Sequence, residues 1–136
     1  YLEYYRRQYG VRAVSLRYAN VYGPRQNPHG EAGVVAIFTR QMLAGEQPVI
    51  YGDGTQTRDY VFVGDVVEAN LAALEHKGSG TYNVEHAPAK PGEQQRSVLG
   101  HGQTTDALGW VPQTDLEEGL DRTVRWFQKN SETERA

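Results

Sequence analysis

An amide and a guanidinium carry the first chemical suggestion in this sequence. Asn20 lies in "RYANVYGPRQNPHG", where a β-forming run stops and a Gly-Pro turn follows. Arg58 follows the "GDG" turn at Gly52–Gly54 and opens another β-forming run. Ligands of open α/β sheets bind beyond the carboxyl ends of strands. A planar guanidinium and an amide converging there would suit a phosphate or diphosphate. The competing reading is local: Asn20 caps a turn, and Arg58 pairs with Asp59 or another surface carboxylate. Tyr18, Tyr22 and Tyr51 offer a ring platform for a base or sugar. Core packing is the commoner fate of a tyrosine, and it is the default for Tyr18 and Tyr60.

Other candidates weaken on inspection. Asp65 with Glu68, and Asp115 with Glu118, stand three apart before helical patterns, so helix capping explains them better than catalysis. The four histidines, His29, His76, His86 and His101, have no ligand spacing, and no metal site is expected. Lys90 and Glu93, in "APAKPGE", are either a solvated loop pair or a cation and an acceptor closing over a ligand. No Gly-rich strand-to-helix fingerprint and no nucleophile elbow occur.

The elements that must hold these residues alternate between helix and strand, which indicates an α/β fold. "YLEYYRRQYG" reads as a helix stopped by Gly10, and "VRAVSLRYA" as a largely buried strand. "GVVAIFTRQMLAGE" reads as a helix ending at Gly45, "PVIY" as a short strand, and "TRDYVFV" as another. "DVVEANLAALEHK" is a strongly periodic helix stopped by Gly78, and "GTYNV" is a strand. Residues 85–105 have no clear period and read mostly as loop. A loop of that length is unusual in a compact domain, so it is either functional or has lost what organised it. The last helix spans "LEEGLDRTVRWFQKN", and "SETERA" should fray.

Bulk properties narrow the function classes. The chain has 136 residues, no cysteine and a net charge of -3. Disulfides and thiolate metal sites are excluded, and the charge gives no reason to expect nucleic acid. "GVVAIF" is too short to span a bilayer, so no membrane partner is expected. The chain opens on Tyr1 within a helical pattern, as an excerpt, a processed chain or an incomplete gene would.

Several stretches occur here in a familiar order: "RYANVYGPRQNP", "IYGDGTQTRDYVFVGDVVEANLAAL", "YNV", "APAKPGE" and "LGWVPQTDLEEGLDRTVRWF". Together they resemble the C-terminal half of NAD-dependent nucleotide-sugar epimerases and dehydratases, the extended short-chain dehydrogenases, and most of all UDP-glucose 4-epimerases. The resemblance implies that residues 1–22 are a remnant of the Rossmann domain. It implies that 23–136 are mainly the smaller nucleotide-sugar-binding α/β domain, with 57–84 returning to the Rossmann sheet. It implies a UDP-sugar ligand, with Asn20 and Arg58 on the diphosphate and Val34 and Val35 along the nucleotide. Val49 and Tyr51 would flank uracil and ribose, with Gln56 nearby, and Lys90 and Glu93 would close the pocket. In the complete enzyme it implies NAD, a homodimer, a cytoplasmic setting and inversion at C4 through a 4-keto intermediate.

The sequence also departs from that pattern. The NAD fingerprint and the Y-x-x-x-K motif are absent, so no catalytic residue is named and no cofactor is expected on this chain alone. After Val84 the helix normal to the family is missing, and "VLGHGQTTDALGW" lacks the usual Asp and Ser/Thr-Lys. The alternatives are a nucleotide-sugar 4,6-dehydratase piece, a non-catalytic nucleotide-sugar-binding module, or an inert remnant that folds by self-association.

Overall fold

The computed structural model describes residues 1–29, 33–84 and 102–133. The chain begins with α1 (Leu2–Tyr9), closed by Gly10 in the left-handed region at φ 65. There follow β1 (Val14–Tyr18), β2 (Asn20–Tyr22), α2 (Val34–Leu43), β3 (Tyr60–Phe62), α3 (Val63–Glu75) and β4 (Gly80–Val84). α4 (Gly102–Leu108) and α5 (Leu116–Thr133) complete the described chain. β1 pairs in parallel with β4, and β2 pairs in parallel with β3. Parallel pairing with helical crossovers is the α/β class expected from the alternation of elements.

The strand expected over 11–19 is shorter, and it does not stop at Asn20. It changes partner there: Val14–Tyr18 lie beside β4, and after Ala19 the chain pairs with β3. Nor is it largely buried, since Arg17 and Tyr18 are exposed. "PVIY" forms no strand; Val49, Ile50 and Tyr51 are exposed and irregular. Among the described residues no strand lies beside it, and β propensity alone does not make a strand. "TRDYVFV" contributes only Tyr60–Phe62, because Val63 already opens α3.

The core lies where β2 and β3 meet α3. Val61, Val66, Ala69 and Trp110 are buried together, with Leu16, Ala19, Val21 and Leu108 packed against them. Trp110 Nε1 donates to the Asp65 carbonyl at 3.0 Å, which satisfies the indole in the core. A second packed region joins Tyr22, Tyr60 and Phe62 edge to face, with the Arg122 guanidinium 4.5 Å from the Phe62 ring. A side chain at position 119 would start 2.0 Å from the Tyr22 hydroxyl oxygen, so glycine is required on that face of α5.

The two expected capping boxes have different fates. Asp115 does cap α5, its Oδ1 accepting from the Glu118 N–H at 2.8 Å, while the Glu118 carboxylate lies 3.6 Å from Arg122. Asp65 does not cap α3. The helix begins earlier, with Phe62 at the N-cap position and no side-chain cap. Asp65 is instead buried and accepts from Thr114 N–H (3.1 Å) and Thr114 Oγ1 (3.2 Å), tying α3 to the approach of α5. Residues 102–105, the end of the stretch read mostly as loop, open α4, and α5 runs through Thr133; 85–101 and 134–136 lie outside the described residues.

Candidate functional site

Asn20 and Tyr60 open the parallel β2–β3 pair, and Arg58 lies in the segment that leads into β3. Asn20 stands opposite Tyr60 in the parallel register, two positions beyond Arg58. Asn20 donates twice to the same atom: its main-chain N–H and its side-chain Nδ2 reach the Asp59 carbonyl at 3.0 and 2.9 Å. This double bond to one carbonyl fixes the Asn20 amide and leaves one N–H and Oδ1 for another partner. Arg58 is exposed and held locally, with Nη1 donating to the Thr57 carbonyl (2.9 Å) and Nη2 to Gln56 Oε1 (3.1 Å). Its expected competing partner, a carboxylate, is therefore not the one in contact.

The loop after β2 is folded tightly. Gly23 adopts φ 150, and a Cβ there would lie 2.4 Å from Val63 Cγ1, so the turn sits directly on the start of α3. Arg25 adopts φ 68, uncommon for a residue with a side chain. Gln26 Nε2 donates to the Val21 carbonyl at 3.1 Å, folding the turn back along β2. A Cβ on Gly33, the N-cap of α2, would lie 2.5 Å from that same Nε2. Gln26 thereby links β2 to the first turn of α2, where Val34 is exposed and Val35 half-buried.

The other expected site residues are scattered. Val49 and Tyr51 are exposed, Tyr51 at 93%. The ring platform does not form. Tyr22 is buried in the core, and Tyr18, 44% exposed, donates its hydroxyl to Asn70 Oδ1 at 2.9 Å, so it is not a core residue either. Tyr60, half-buried against Tyr22, fits its default. Lys90 and Glu93 lie outside the described residues. Between Tyr51 and Arg58, the "GDG" turn uses positive φ at Gly52 (89) and Gly54 (75). The Asp53 carboxyl is held below its usual range by the Thr55 hydroxyl and then by the Thr55 N–H. Burial, with Asp65 and Asp115 nearby, pushes the Tyr22 hydroxyl up to about 12.

Sequence reasoning missed two residues. Asp59 acts through its main-chain carbonyl, which no residue type reveals, and its Oδ2 is buried without a hydrogen-bond partner among the described residues. Gln26 acts by reaching back five positions, a contact that only the folded turn creates. Among the described residues no group of three His, Asp or Glu side chains could hold a metal, and no helix is long and apolar enough to cross a membrane.

Residues 1–84 match the model of the NAD dependent epimerase/dehydratase family. The chain belongs to that family. A UDP-glucose 4-epimerase of Mycolicibacterium smegmatis is 41% identical, matching 97% of this chain and 50% of its own length. That alignment runs over 158 positions, more than the 136 residues present here, so the relative carries positions that this epimerase-family chain lacks. The Thermotoga maritima UDP-glucose 4-epimerase, solved with UDP-glucose, superimposes with a TM-score of 0.88 at 43% identity, covering 96% of this chain and 50% of that one. The Thermus thermophilus UDP-glucose 4-epimerase, solved with NAD, gives 0.78 at 40% identity, covering 94% and 50%. The chain thus spans about half the length of the relatives it matches.

Proposed function

We propose that this chain is the nucleotide-sugar-binding portion of an NAD-dependent UDP-sugar 4-epimerase, inactive by itself. The observation that carries this reading is the Asn20 amide fixed on the carbonyl of Asp59, the chain neighbour of the exposed Arg58, at the start of the β2–β3 pair. It occurs in a chain 43% identical to an epimerase solved with UDP-glucose. An exposed guanidinium and a fixed amide suit the two phosphates of a nucleotide sugar. Val34 and Val35 would lie along the nucleotide, Val49, Tyr51 and Gln56 around uracil and ribose, and Lys90 with Glu93 would close the pocket. On this reading residues 1–22 and 57–84 belong with a Rossmann sheet, and the rest forms the substrate domain. The parallel pairing of β1 with β4 supports that division.

NAD would supply hydride transfer in the complete enzyme. The sequence holds neither the Gly-rich fingerprint nor the Y-x-x-x-K motif, so the residues present do not fit the cofactor, and no catalytic step is assigned to them. A homodimer and a cytoplasmic setting go with the complete enzyme. Isothermal titration of the chain with UDP and UDP-glucose tests the reading. Saturable binding is expected, weakened about tenfold or more in Arg58→Ala, as for loss of a charge-assisted contact. No binding at millimolar ligand would remove the pocket from this chain.

A further inference from the structure

One residue in the turn after β2 keeps a backbone conformation that its side chain makes costly. Gly23, Pro24, Arg25 and Gln26 form a tight turn, closed by the Gln26 N–H on the Gly23 carbonyl at 3.4 Å. Proline second and positive φ third are the type II pattern, which favours glycine in third place. Arg25 stands there at φ 68. Every other positive φ among the described residues, from Gly10 to Gly109, belongs to a glycine. In the left-handed region a β-carbon crowds the following carbonyl.

Both ends of this turn are fixed, so it does not relax around Arg25. Gly23 is seated on Val63 with no room for a Cβ. Gln26 is tied to the Val21 carbonyl at 3.1 Å. Glycine at position 25 would relieve the conformation and disturb neither anchor. A residue held in a sparsely populated conformation by fixed surroundings is a pointer to function.

The side chain indicates the function. Arg25 is exposed, and its guanidinium makes no hydrogen bond or ion pair among the described residues. Arg6, Arg7, Arg58, Arg122 and Arg125 are each engaged. The turn lies beyond the carboxyl end of β2, where open α/β sheets bind ligands. It also folds back. The Gln26 side chain spans from the turn to Val21, the chain neighbour of Asn20, and an arginine side chain is longer. Arg25 thus has the reach for a ligand held at Asn20.

We propose that Arg25 binds the diphosphate of the nucleotide sugar, as a second guanidinium in addition to Arg58, and is kept at the glycine position of the turn for its charge. The proposal rests on the reading of this chain as a nucleotide-sugar-binding portion. A planar cation with parallel N–H donors suits phosphate oxygens, and two phosphates offer more of them than one arginine covers.

Thermal melting and isothermal titration of Arg25→Gly, made on the full chain, separate conformation from charge. The variant should melt a few degrees higher, because glycine adopts the left-handed conformation without a β-carbon. It should bind UDP about tenfold or more weakly, as for loss of a charge-assisted contact. Arg25→Ala, which keeps the β-carbon, should lose the same affinity without the gain in melting temperature. The loss should also shrink between about 0.05 M and about 0.5 M salt, since an exposed charge is screened. UDP affinity unchanged in both variants would overturn the proposal. So would an equal loss at both salt concentrations, which would place the effect in the shape of the turn. A lower melting temperature of Arg25→Gly with unchanged UDP binding would assign the guanidinium to a contact within the chain, and overturn it as well. A wild-type chain that binds no UDP removes the proposed function and the ligand of Arg25 with it. Wild-type binding that is indifferent to Arg25 removes the Arg25 contact alone.

Discussion

The two ends of this chain are built to different standards. Around β2, β3, α3 and α5, Val61, Ala69 and Thr123 are fully buried and two glycines are set by close contacts. Around α1 no residue is buried; Tyr5 and Tyr9 stack and Tyr4 meets both edge to face, all three in the open. The exposed helix is held by its own side chains: Arg6 and Arg7 both reach Glu3 at 2.7 Å and lower its carboxyl to about 2. The contrast shows where this chain carries its own stability. The β2–β3–α3–α5 end is packed by this sequence, and the α1 end leaves its tyrosine surface exposed.

The contrast can be broken or sharpened by substitution. The largest loss is expected for Trp110→Ala, which removes a buried ring and its bond to the Asp65 carbonyl. It should cost about 3–5 kcal/mol in urea unfolding, and a cost near zero would mean that the core does not sit there. Asp65→Ala removes the buried carboxylate that accepts from the Thr114 N–H and hydroxyl. About 1–3 kcal/mol is expected in the same assay, with the Asp65→Glu variant recovering little because the carboxylate is closely packed.

A smaller effect is a pH profile. The Tyr22 pKa is raised from 10.0 to about 12 in the folded chain, so its contribution is fully present below pH 10 and is lost as pH rises toward 12. Melting temperature should fall over that window, and Tyr22→Phe should flatten the fall. An unchanged slope would mean that the phenol is not buried in solution. The smallest effect is expected for Tyr5→Ala on α1, within about 0.5 kcal/mol, since an exposed side chain of the isolated chain has little packing to lose. A cost comparable to Trp110→Ala would show that α1 is already covered, by another copy.

Much of this architecture was legible from local signals. Gly10 stops α1 and Asp115 caps α5, because both act on neighbours a few residues away. The body of α3 followed from its period. The failures share a cause. "PVIY" has strand composition but no strand partner among the described residues, and Asp65 has capping spacing but a partner 49 positions away. The site divides in the same way. Asn20 and Arg58 were visible as residue types, whereas the Asp59 carbonyl that fixes Asn20 and the reach of Gln26 exist only after folding.

The change of partner at Ala19 has a thermodynamic consequence. One extended run carries the β4-paired stretch Val14–Tyr18 and the fixed amide at Asn20, with a single residue between the two pairings. Whatever orders the first part would lower the entropic cost of ordering the second. A partner that steadies Val14–Tyr18 and a ligand held by Asn20 would then act on coupled equilibria, each strengthening the other by the same factor.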